Sequence, residues 1–380
     1  MVTHPRFSLN TGLLLFTCKS GKHAALFWER LDMTLVRLVG LVLWLSPLVS
    51  LACTSFYWKG PEGSFLGKSY DWHHDRGLLV VNKRHVKKTG FTVRPWESGP
   101  QWISKFGSLT FNQYGREFPN GGINEEGLTI EVLWLNASQY EGFDFRPVLN
   151  QLTWVQYQLD NFALVSEVIE ALPRYRLSPI QGKIHYFLCD KTSNCAVVEW
   201  LNGKPVVHSG IEMNPKAITN NSYEESKTEF ERVNRLREML YLNTSIDESS
   251  LSRFVRVASL IKMDAPSLET SFSVLESVSM AGLTTWNIVY NLETREVFYR
   301  TAANPEVRSL NLKSFNFDCS SPTLMLDIHQ GRESVDQQFV PFDYQRNYEV
   351  LANSLSDIQF SWVLAPLLNR YPTSTYCVDP

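Results

Sequence analysis

The stretch from Met33 to Ala52, MTLVRLVGLVLWLSPLVSLA, constrains this chain more than any other, because it ends at a cysteine. Arg37 supplies a short positive region, Leu38 to Leu48 an apolar core, and Ser50-Leu51-Ala52 a small-residue cleavage site. The apolar run is shorter than the roughly 20 residues that a membrane-spanning helix needs. Residues 33–52 are therefore predicted to be a signal peptide cut after Ala52, and the mature chain to begin at Cys53. Residues 1–32 have mixed composition and no signal character, so they read as an extension upstream of a true start at Met33. Two rival readings use the same residues. In one the segment stays attached as a signal anchor. In the other it is a lipoprotein signal, and Cys53 becomes acylated. Ser50 argues against the second, since a lipoprotein box prefers a bulky apolar residue three places before its cysteine.

A chain that begins at Cys53 carries a thiol nucleophile and a free α-amine on one residue. The amine has an ordinary pKa near 7.7–8.0 and is a usable base at neutral pH. The thiol is the most readily ionised of the common nucleophiles. No separate catalytic histidine is then required. Acylation of Cys53 would block both groups.

Composition narrows the class. The chain has 380 residues, 44% hydrophobic and 20% charged, as an ordinary folded protein has. A formal charge of −3 gives no basis for a nucleic-acid or anionic-membrane partner. Five cysteines follow the cleavage site: Cys53, Cys189, Cys195, Cys319 and Cys377. An exported setting favours disulfides, and five leaves one unpaired. Cys189 and Cys195 flank a turn between two strand-like runs and can face each other. Cys319 would then pair with Cys377, leaving Cys53 free. The alternative is that all five stay reduced.

Strand-like runs at 53–58, 65–72, 78–83, 109–114 and 128–135 open the mature chain. Pro147 is a favourable first-turn residue for a helix through Gln156, and 163–172 reads as a second helix stopped by Pro173. The hairpin 184–188/196–200 and a strand at 205–209 follow. Helices are expected at 224–242, 252–262 and 267–280, and strands at 285–292 and 297–301. This order predicts two packed sheets with helix layers outside, an α+β arrangement rather than strict βαβ alternation. Residues 331–380 read as a tail packed on the domain. His73-His74-Asp75 raises a metal reading, but neighbouring strand residues face opposite ways, which disfavours joint ligation. Trp134, Trp154 and Trp286 are candidates for an acyl pocket, or for the core.

Five separated motifs, in order, resemble the choloylglycine hydrolase and penicillin V acylase family of N-terminal nucleophile hydrolases. They are Cys53-Thr54, Gly67-Lys68-Ser69-Tyr70-Asp71-Trp72, Gly122-Ile123-Asn124-Glu125-Glu126-Gly127-Leu128, Ile218-Thr219-Asn220 and Ser252-Arg253-Phe254-Val255-Arg256-Val257-Ala258. The resemblance implies a four-layer αββα sandwich over residues 53–330 and hydrolysis of a linear amide through a thioester at Cys53. It implies that Asp71 orients the catalytic amine and that Arg253 favours thiolate. Asn124, through its backbone N–H, and Asn220, through its side-chain amide, would hold the oxyanion. Lys68 departs from the family's arginine, keeping the charge but losing the bidentate fork. The resemblance implies no cofactor, a small-molecule N-acyl amide as substrate, and a homotetramer. Asp71-Trp72 and Val132 to Tyr140 are closer to the Gram-negative acylase branch. Penicillin V or N-acyl homoserine lactones are therefore the expected substrates, with conjugated bile salts as the alternative. Another alternative is a non-catalytic binding protein, lipid-anchored at Cys53. The expected location is the periplasm or the medium.

Overall fold

The structure, a computed structural model, describes residues 53–378 apart from 180–181, 241–246, 264 and 359–360. The extension at 1–32 and the signal peptide at 33–52 lie outside the described residues. Strands β1 (Thr54–Gly60) and β2 (Gly63–Asp71) form the first hairpin. Gly67 lies opposite Phe56 in this hairpin, and a Cβ there would meet the Phe56 ring at 2.5 Å. That close approach explains the glycine of the Gly67–Trp72 motif. The chain continues through β3 (Leu78–Asn82), β4 (Val86–Thr89), β5 (Gln101–Ile103), β6 (Ser108–Asn112), β7 (Gly121–Asn124) and β8 (Thr129–Trp134).

A short strand β9 (Val148–Leu149) precedes helix α1 (Gln151–Asn161). The helix starts later than Pro147 predicts. Asn150 provides the cap, its side-chain oxygen accepting from the N–H groups of Leu152 and Thr153. Helix α2 (Val165–Ala171), β10 (Arg176–Leu177), β11 (Ile184–Cys189), β12 (Cys195–Leu201), β13 (Lys204–Ser209) and β14 (Ala217–Ile218) follow. Three helices come next: α3 (Tyr223–Leu240), α4 (Ser250–Met263) and α5 (Leu268–Ser277). The chain then runs through β15 (Thr284–Asn291), β16 (Glu296–Thr301), β17 (Arg308–Asn311), β18 (Leu324–Asp327) and β19 (Val340–Pro341). Helices α6 (Tyr344–Ser354) and α7 (Ser361–Arg370) and strand β20 (Tyr376–Cys377) complete it.

Six strands in the order β14-β1-β2-β15-β16-β17 form one antiparallel sheet, and nine in the order β13-β12-β11-β8-β7-β6-β3-β18-β19 form another. The inner faces of the two sheets meet in a large apolar core that includes Phe56, Leu66, Phe111, Ile123, Val197 and Tyr290. Helices α4 and α5 cover the outside of the six-stranded sheet, and α1 packs against β7 and β8 on the outside of the nine-stranded one. Because β2 and β11 are covered on both sides, every residue in each is buried. The result is the αββα sandwich.

The tail is more integrated than a packed extension. β19 extends the nine-stranded sheet, β20 pairs with β4, and α6 and α7 bury Leu351, Leu355 and Leu368 beside Phe118. Disulfides join Cys189 to Cys195 across the β11–β12 hairpin and Cys319 to Cys377 at the tail. Cys53 is the free cysteine among the described residues.

Candidate active site

Cys53 sits one residue before β1, where the register of the hairpin brings it against the end of β2. Its Sγ lies 3.8 Å from the backbone oxygen of Asp71. The alternation of β2 divides the neighbouring side chains between two faces. Ser69 and Asp71 bond to each other, Ser69 Oγ donating to Asp71 Oδ1 at 2.8 Å. Thr284 Oγ1, on β15, donates to the same oxygen at 2.5 Å. Asp71 Oδ2 is buried without a hydrogen-bond partner among the described residues, 3.9 Å from the Arg253 guanidinium. Burial raises the Asp71 carboxyl above its usual range, against the hydroxyls of Thr284 and Ser69 and the charges of Arg253 and Lys68.

Arg253 reaches in from α4. It donates to the Cys53 carbonyl (3.2 Å), Thr54 Oγ1 (2.9 Å) and Asn220 Oδ1 (3.2 Å). Asn220, just past β14, is thereby turned so that Nδ2 donates to the Trp134 carbonyl at 2.8 Å. Four of the residues singled out in the sequence therefore come together: Cys53, Asp71, Arg253 and Asn220.

Lys68 lies on the other face, between the sheets. It donates to the Val132 carbonyl and sits 4.0 Å from Glu131, both on β8. Glu131 also accepts from Tyr290 Oη at 2.5 Å, and its carboxyl fills the space that a Cβ on Gly121 would take. Burial pushes Glu131 up to about 7, with Lys68 and Tyr290 pulling it down. Burial also raises the Cys53 thiol, opposed first by the charge of Lys68 and more weakly by Arg253, while the charge of Asp71 adds to the rise. Lys68 thus acts on Cys53 by charge, through no hydrogen bond to Asp71.

Asn124 does not belong to this group. Its Nδ2 donates to the carbonyls of Leu159 (2.9 Å) and Phe162 (2.7 Å), and its Oδ1 accepts from the N–H groups of Glu126 and Leu128. Its backbone N–H donates to the Leu128 carbonyl. With every donor spent inside the fold, it shapes the β7–β8 turn and ties down the end of α1, and it has nothing left for an oxyanion.

A cavity of about 290 Å³ opens over Cys53, lined by apolar groups including Trp72, Tyr114, Val132, Trp134, Leu355 and Leu368. Trp134 joins this lining, whereas Trp154, on α1, is buried against Tyr186 and Trp200, and Trp286 is buried, stacked on Tyr70 and bonded to the Asp75 carbonyl. The register also sets the direction of the Trp134 backbone. Leu135 N–H bonds to Lys183 in the β8–β11 ladder, so the N–H and C=O of Trp134 point away from β11, on the side where Asn220 bonds. Glu131, Thr284 and the tail residues were missed from sequence. Only the excess of charge and hydroxyls on otherwise apolar strands marked the first two.

The two stacked sheets between helix layers, with a free cysteine at the head of a central strand, define an N-terminal nucleophile hydrolase fold. Residues 53–325 match the model of the linear amide C–N hydrolases, choloylglycine hydrolase family. The chain belongs to that family, and it is an amide hydrolase. A penicillin V acylase of Pectobacterium atrosepticum is 26% identical over 341 residues, covering 76% of this chain and 88% of that protein. The structure of penicillin V acylase from Agrobacterium tumefaciens superposes with a TM-score of 0.67 at 25% identity, over 77% of this chain and 98% of that one. A conjugated bile acid hydrolase variant from Clostridium perfringens shares the fold, with a TM-score of 0.62 at 19% identity, over 74% and 98% of the two chains.

Proposed function

We propose that this protein is exported, is cut after Ala52, and hydrolyses N-acyl amides with an apolar acyl group through a thioester at Cys53. The observation that carries the reading is a free thiol at Cys53, lining an apolar cavity, beside the buried Asp71, whose Oδ2 accepts no hydrogen bond among the described residues. An α-amine released at Cys53 gives that oxygen a hydrogen-bond donor, which satisfies a buried acceptor and holds the neutral amine, the base, in place. The amine takes the thiol proton, and the thiolate attacks the substrate carbonyl. Lys68 and Arg253 oppose, without cancelling, the burial that disfavours the thiolate.

The second Nδ2 hydrogen of Asn220 and the N–H of Trp134 are the oxyanion donors in this scheme, replacing Asn124. The leaving amine departs with a proton from the Cys53 amine. The same amine then activates water to hydrolyse the thioester. No cofactor enters these steps.

The cavity volume lies at the small end of the range for ligand pockets, which favours an aryl-acyl or linear acyl group over a steroid. Penicillin V and N-acyl homoserine lactones, in the periplasm or the medium, are the substrates proposed. A homotetramer is the proposed assembly. The test combines the intact mass of exported protein with amine release from penicillin V, a long-chain acyl homoserine lactone and glycocholate. A chain beginning at unmodified Cys53, active on the first two and losing at least about 10⁴-fold in Cys53→Ala, is the expected outcome. A diacylglyceryl-modified Cys53 or full activity in Cys53→Ala would overturn it.

A further inference from the structure

On a continuous strand, His73 and His74 of the His73-His74-Asp75 motif would face opposite ways and could not share a ligand. The strand, however, ends at Asp71. Beyond it the backbone turns, and the two imidazoles come to lie with ring centroids 4.3 Å apart and planes 55° apart. Both direct Nε2 to one atom, Asp357 Oδ2, at 2.9 Å from His73 and 3.1 Å from His74. Asp357 comes from the segment between α6 and α7, nearly 300 residues away in sequence. The third residue of the motif takes no part, since Asp75 faces His329 at 3.7 Å.

We propose that His73, His74 and Asp357 form a site for a borderline divalent metal of the zinc class, which ties the C-terminal helix pair to the rim of the acyl cavity. The donor set is two imidazole nitrogens and one carboxylate oxygen, the ligand types zinc accepts. The three atoms lie within 4.8 Å of one another. Zinc bonds of about 2.0–2.2 Å hold tetrahedral ligand atoms roughly 3.3–3.6 Å apart, so shifts of about an ångström or less admit the ion. Side-chain exposures of 45% for His73 and 64% for Asp357 leave the site reachable from solvent and its remaining coordination positions open.

The position gives the ion a role. Trp72, directly before His73, stacks on its ring with centroids 4.9 Å apart and also lines the acyl cavity. Ile358, directly after Asp357, lines the same cavity, as do Leu355, Leu364 and Leu368 from α6, α7 and the turn between them. An ion shared by the two segments therefore clamps the cavity's two walls together at the rim. Zinc here is a structural clamp, and the chemistry at Cys53 proceeds without it.

The test is calorimetric titration of zinc chloride into purified, untagged protein in chelator-free buffer, with thermal unfolding recorded alongside. One equivalent of zinc is expected to bind and to raise the Tm. His73→Ala and Asp357→Asn are each expected to weaken binding by about tenfold or more and to abolish the Tm rise, while Cys53→Ala binds as the wild type does. Metal-free variants that melt at the wild-type temperature show that the fold is intact. No binding, or undiminished binding in a His73→Ala/Asp357→Asn double variant, overturns the proposal. Loss of binding in Cys53→Ala also overturns it, by assigning the zinc to the thiol. No substrate is used, so the result is independent of whether the amidase reading holds.

Discussion

Two asparagines that look alike in the sequence should separate cleanly when each is changed to alanine. Asn220→Ala removes a proposed oxyanion donor and two side-chain hydrogen bonds, and is expected to lower kcat by about 10²–10³-fold at a stability cost of about 1–2 kcal/mol. Asn124→Ala breaks four side-chain hydrogen bonds inside the fold and is expected to cost about 2–4 kcal/mol while leaving kcat per folded molecule near wild type. Active-site titration beside urea melts distinguishes the two. Glu131 offers a test by pH. Its carboxyl rises from 4.5 in the unfolded chain to about 7 in the fold, so between these values the folded state holds a proton that the unfolded state has released. The stabilisation is complete below about pH 4.5 and is lost as pH rises to about 7, on the order of 3 kcal/mol in all. Glu131→Gln should flatten this slope in melts recorded across that range.

Among the elements, the turn after α6 is where the tail meets the chemistry. Leu355 is 2% exposed and lines the cavity. Leu355→Ala is expected to cost about 2–5 kcal/mol and to shift the ratio of kcat/KM for bulky against compact acyl amides upward by about tenfold. A substrate series of graded acyl size reads the shift. The elements also show how local signals compete. Pro147 pointed to a helix start, but Asn150 satisfies two N–H groups at the first turn of α1 and so sets the boundary. α5 starts at Leu268, beside the expected 267, and Ser267 caps it in the same way, accepting from Thr270 N–H.

For the whole molecule, the two disulfides close loops of different size, 58 residues for Cys319–Cys377 and 6 for Cys189–Cys195. Loop-closure entropy predicts a cost of about 4 kcal/mol for removing the first as a paired serine variant and about 2 kcal/mol for the second. Denaturant unfolding of the two variants checks the order. The larger effect belongs to the bond that fastens the tail, and with it the wall of the cavity that α6 and α7 supply.

The sequence by itself determined the family, the sandwich and the identity of the central group of side chains. Cys53, Asp71, Asn220 and Arg253 sit in short contiguous motifs, so their resemblance to the family's motifs is readable residue by residue. Tertiary structure alone decided the rest, because those contacts cross between elements distant in the chain. Local pattern cannot say that Lys68 faces Glu131 rather than Asp71, or that the donors of Asn124 are consumed by α1. Nor can it say that His73 and His74 converge on Asp357, since that depends on where β2 stops and how the tail returns.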